Sequence, residues 1–72
     1  MRIQIDECTP SLIDRINDAT SEDIILTTTF PNRITILNVK AIRSGRGTLE
    51  IELSNGVPVF IEKSEYWTIT VF

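Results

Sequence analysis

The sequence predicts an α+β protein that is mostly β: a short strand and one helix, followed by a five-stranded antiparallel meander that closes into a small SH3-like barrel or a curled sheet. Three observations lead there. Runs rich in Ile, Val and Thr alternate apolar and polar residues from Ile24 to Phe72. Tight-turn signals separate the runs, "SGRG" at Ser44–Gly47 and "NG" at Asn55–Gly56 being the clearest. Only one stretch, near the N-terminus, carries helical spacing.

The opening "RIQID" alternates Arg2, Ile3, Gln4, Ile5 and Asp6, the pattern of a short strand with one buried face. In "CTPSLIDRINDATSED" Thr9 is the expected N-cap, and Pro10 takes the first helical position, where its missing N–H costs nothing. Leu12, Ile13, Ile16 and Ala19 then share one face, Asp14, Arg15 and Asp18 take the other, and the polar run Thr20–Asp23 ends the helix.

The meander begins with "IILTTTF", rich in β-branched residues, and Pro31–Asn32 turns it into "RITILNVKAIR". That run is apolar on both faces, Ile34 and Ile36 against Leu37, Val39 and Ala41, so it reads as one long strand, bent by a bulge or covered on both sides. After "SGRG", "TLEIELS" places Leu49, Ile51 and Leu53 inward and Glu50, Glu52 and Ser54 toward water. Asn55–Gly56 predicts a two-residue type I′ hairpin into "VPVFIEK", with Val57, Val59 and Ile61 inward and Pro58 confined to a sheet edge or strand start. The last strand, "YWTITVF", turns Trp67, Ile69 and Val71 inward.

A chain of about 60 residues buries only about 60% of its extended surface, so residues 1–72 are expected to form a single domain. One cysteine, Cys8, rules out an internal disulfide framework, and the chain shows neither a charged leader with an apolar run nor a long apolar segment, which together suggest a cytoplasmic protein without a membrane role.

There is no histidine, so the commonest catalytic base and the commonest metal ligand are both missing. Cys8 lies close to the expected helix start, which would lower its pKa, and beside carboxylates that would raise it; the pairs Asp14/Asp18 and Glu22/Asp23 have no calcium-loop pattern around them, and "SGRG" lacks the Lys-Ser/Thr sequel and following helix of a phosphate loop. Neither catalysis nor a cofactor is expected.

Charge is the uneven feature. The net charge is −3, yet Ile24–Leu49 holds Arg33, Lys40, Arg43 and Arg46 and no acid, leaving all ten carboxylates to the rest of the chain. Arg43 and Arg46, read as flanking a Gly-rich hairpin tip, form a candidate site for an anion or a carboxylate-rich partner, with Arg33 and Lys40 in support. Cross-strand pairing with Glu50 or Glu52 is the structural alternative for the same cations. Phe60, Tyr66 and Phe72 make a second candidate surface, and pairing of the edge strand "WTITVF" with another copy would give a homodimer. The function expected is that of a non-enzymatic module binding a protein partner as a regulator, inhibitor or assembly factor. The alternative is a small nucleic-acid-binding barrel using the basic hairpin, which the sequence pI of about 4.7 disfavours.

Overall fold

Thr9 starts the helix as the sequence directs. In the computed structural model, which describes residues 1–72, helix α1 spans Pro10–Asn17, and the Leu12 N–H donates to Thr9 Oγ1 at 3.3 Å. Ile13 and Ile16 are buried, while Leu12 and Ala19 lie half-buried at the margin of the same stripe. Strand β1 (Arg2–Gln4) precedes the helix, and single 3-10 turns at Ile5–Glu7 and Ser21–Asp23 bracket it.

The remaining strands are β2 (Ile24–Thr28), β3 (Ile34–Ile36), β4 (Val39–Ser44), β5 (Thr48–Leu53), β6 (Pro58–Glu62) and β7 (Thr68–Val71). Strands account for 44% of the chain, so the mostly-β expectation holds. The finer architecture differs from the expected one. There are two antiparallel sheets, ordered β1-β7-β2-β3 and β4-β5-β6, with no closed barrel and no five-strand meander.

Two local features account for the difference. The run expected to be one long strand is broken at Asn38, whose φ of 58° lies in the left-handed region. Ser54 holds the break, donating from both N–H (2.8 Å) and Oγ (3.0 Å) to the Asn38 carbonyl. β3 therefore stays with β2, and β4 starts the second sheet with a register irregularity between Val39 and Ala41. At the other end, β7 leaves β6 and inserts between β1 and β2, pairing Ile3 with Ile69 and Leu26 with Ile69.

The β5–β6 hairpin lies where expected but has a three-residue connection. Gly56 N–H donates to Leu53 C=O, Leu53 N–H to Val57 C=O, and only Gly56 has positive φ (87°). That is a type I turn followed by a left-handed glycine, where the sequence suggested type I′.

Both sheets turn their apolar faces to one core. Ile3, Ile24, Leu26 and Ile69 of the first sheet meet Val39, Ile42, Leu49, Ile51 and Ile61 of the second, with Ile5, Ile13, Ile16 and Trp67 closing the cluster. At about 1.5–3 kcal/mol for each fully buried aliphatic side chain, this cluster is the main stabilising element. Val57, expected inward, is 50% exposed because the hairpin connection carries it past the end of the sheet.

Candidate functional site

The four cations of the basic segment do not converge. Arg43 lies on β4 rather than at the hairpin tip, and its guanidinium donates to Glu50 Oε2 at 3.1 Å and Glu52 Oε1 at 2.9 Å. These hydrogen bonds and charges, Glu52 foremost, hold its pKa above the usual arginine value. Lys40 Nζ stands 4.0 Å from Glu52. On the outer face of β4-β5-β6, with the cross-strand pairs Arg43/Glu50 and Glu50/Phe60, the carboxylates Glu50, Glu52 and Glu62 outnumber the two cations. This is the cross-strand pairing recognised above as the structural use of these arginines.

Arg46 sits alone on the β4–β5 connection, exposed and without an ion pair. The loop below it is occupied from within: Lys63 Nζ donates to Ser44 Oγ at 2.6 Å and Gly45 C=O at 2.9 Å, and the Gly45 N–H is spent on Thr48 C=O. Of the loop's N–H groups, those of Arg46 and Gly47 make no hydrogen bond. Arg33 belongs to the β2–β3 connection of the other sheet. The aromatics are also dispersed. Phe60 lies on the outer face of the second sheet, Tyr66 precedes β7, and Phe72 follows the opposite end of that strand.

A different surface brings side chains together. On the outer face of β1-β7-β2, Arg2, Gln4, Ile25, Thr27, Thr68, Thr70 and Phe72 line an open recess of about 500 Å³. The register explains the assembly. Arg2 and Gln4 oppose Thr70 and Thr68, which in turn oppose Ile25 and Thr27, and Thr35 of β3 continues the row beyond Thr27. Thr68 Oγ1 donates to Gln4 Oε1 at 3.4 Å, and Arg2 has no ion pair. The recess offers hydroxyls, one amide and one guanidinium, with Ile25 and Phe72 as apolar walls. Such groups bind polar or anionic matter but include no general base.

Of these residues, sequence reasoning singled out only Phe72. The alternation of Thr27, Thr68 and Thr70 with buried neighbours was visible, but their adjacency depends on β7 entering between β1 and β2.

Cys8 is half-buried and its thiol pKa is pushed up, first by burial, then by Glu7 and Asp6, with Lys63 opposing. That is the reverse of an activated nucleophile. No three His, Cys, Asp or Glu side chains converge as a metal site would require, and no helix is long and apolar enough to cross a membrane. Comparison with protein-family models, curated proteins and solved structures finds no match, so this recess has to be read from its own residues.

Proposed function

We propose that the protein works by occupancy, binding another protein through the outer face of the β1-β7-β2-β3 sheet as a regulator, inhibitor or assembly factor. One observation carries this reading. The outward residues of those strands, Arg2, Gln4, Ile25, Thr27, Thr35, Thr68 and Thr70, form an uncovered surface with no carboxylate, in a chain whose ten carboxylates give it a net charge of −3. Hydroxyl and amide groups that both donate and accept suit a partner's backbone and polar side chains, while Ile25 and Phe72 add the apolar area that interface cores require. The recess is open, which suits a chain laid across the sheet better than an enclosed small molecule.

The alternative is a nucleic acid on the same face, with phosphates on Arg2 and on Arg33 across the sheet. The separation of three strand spacings, about 14 Å, would accommodate it. Phe72 is the one aromatic there, which gives little base stacking.

The double variant Thr68→Glu/Thr70→Glu places two carboxylates on this face and distinguishes the readings. Immobilised wild-type protein is expected to retain a defined set of proteins from its native cells, and the double variant to lose that set. Retention of the same set by the double variant would contradict the assignment. Retention of RNA or DNA in place of proteins, lost steeply with salt, would move it to the alternative.

A further inference from the structure

The four sheet edges are treated differently. On β4, the Asn17 side chain pairs with both outward groups of Ile42, accepting from its N–H at 2.7 Å and donating to its C=O at 2.9 Å. On β6, the bonds Leu53 N–H to Val57 C=O and Lys63 N–H to Gly47 C=O orient odd-numbered residues toward β5. Pro58, Phe60 and Glu62 therefore face outward. Pro58 has no N–H, and the Glu62 N–H is taken by Glu65 Oε1 at 2.9 Å. The outer edge of β1 is polar, Arg2 and Gln4, and the strand turns away after three residues.

β3 is as short as β1, three residues, but its outward backbone meets no proline and no side-chain cap, and the side chains around it are apolar. Phe72 N–H donates to Asp23 C=O, so odd-numbered residues of β2 face β7 and even-numbered ones face β3. Their partners Ile34 and Ile36 face back, which leaves Thr35 with N–H and C=O both directed outward and unpartnered. The surrounding apolar side chains are open to solvent: Ile34 is 45%, Leu37 53% and Phe30 68% exposed. Arg33, exposed and unpaired, stands at the strand's start, inside the one stretch of the chain with four cations and no acid.

We propose that this edge takes a fifth strand from the protein partner: an extended segment in which acidic residues alternate with apolar ones. The inference rests on the protein-binding reading and specifies the partner's chemistry. Strand addition satisfies the Thr35 backbone groups, and period-two geometry then sorts the incoming side chains. Those beside Ile34 and Ile36 fall on the core side and match apolar residues. Those beside Thr35, on the acid-free outer face with Arg33 at its border, match carboxylates. A second copy would bring another Arg33-bearing, acid-free edge against this one, so charge favours a different chain.

The test is anisotropy of a short fluorescein-labelled peptide of alternating Val and Glu, with a Val–Lys peptide as control. Thr35→Pro removes the outward donor without breaking a ladder bond, because the Thr35 N–H makes none. Ile34→Lys blunts the edge without touching that N–H, and serves if Thr35→Pro fails to fold. The Val–Glu peptide should bind wild type, about tenfold more weakly to Thr35→Pro and to Ile34→Lys, and about fivefold more weakly to Arg33→Glu. Equal binding of both peptides, binding unchanged in the two edge variants, no Val–Glu binding, or sedimentation showing a β3-dependent dimer would each overturn the proposal. The capture experiment with Thr68→Glu/Thr70→Glu uses neither peptide, so the broader function can stand when the edge assignment falls.

Discussion

Asn17 does for Ile42, in one side chain, what a neighbouring strand would do. It ends α1, and its amide makes both a donor and an acceptor bond to Ile42, joining the helix to β4. Asn17→Ala would leave the Ile42 N–H and C=O without these partners at a part-buried site. It should cost about 1–3 kcal/mol, a fall of several degrees in a thermal melt followed by circular dichroism; an unchanged melt would show that water replaces the amide without loss. Cys8 gives a pH-dependent expectation. Its folded pKa is raised, so the native state keeps the thiol proton after the unfolded chain would release it, and stability declines once pH rises past the ordinary value of an unfolded thiol. Below that pH, alkylation by iodoacetamide should be slower than for an unstructured cysteine peptide. Reaction at the same rate or faster would refute the burial argument. The raising effect of Glu7 and Asp6 was legible in the sequence, whereas the burial and the nearby Lys63 depend on tertiary structure.

At the scale of elements, local signals were reliable where local chemistry decides. The Thr9–Pro10 start of α1, the Leu49/Ile51/Leu53 alternation and the position of the β5–β6 hairpin could all be seen in the sequence. The division of "RITILNVKAIR" could not. Asn tolerates left-handed backbone and so permits the break, but what holds it is Ser54, sixteen residues away. Asn38→Val should lose about 1–2 kcal/mol, whereas Asn38→Gly should melt close to wild type; equal melts for Val and wild type would mean the kink is not fixed by backbone preference. The β4–β5 pairing gives a charge prediction. Arg43→Glu sets a third carboxylate against Glu50 and Glu52 and should lower the melting temperature, while Arg46→Glu, which breaks no pair, should not. Equal effects of the two substitutions would show that the paired geometry contributes nothing.

For the whole molecule, what the sequence concealed is how the strands assort. Every expected strand region forms strand, but β7 joins β1 and β2 through pairs such as Arg2/Thr70 and Ile25/Thr70, contacts between segments far apart in the chain that no short-range pattern encodes. That insertion has two consequences. "WTITVF" is flanked on both sides, so it offers no edge for a second copy, and the exposed apolar edge is β3 instead. It also lines up Gln4, Thr68, Thr70, Ile25 and Thr27 as one recess, while the basic segment that stood out in the sequence is partly neutralised by Glu50 and Glu52.

Binding through the outer face of the four-stranded sheet is tested most directly by photo-crosslinking. A benzophenone amino acid replaces Thr70 in one preparation and Glu50, on the outer face of the other sheet, in a second; both are irradiated in the protein's native cells. Covalent protein adducts from position 70, absent from position 50, are the predicted result. Adducts from position 50 alone, or none from either position, would contradict binding through this face.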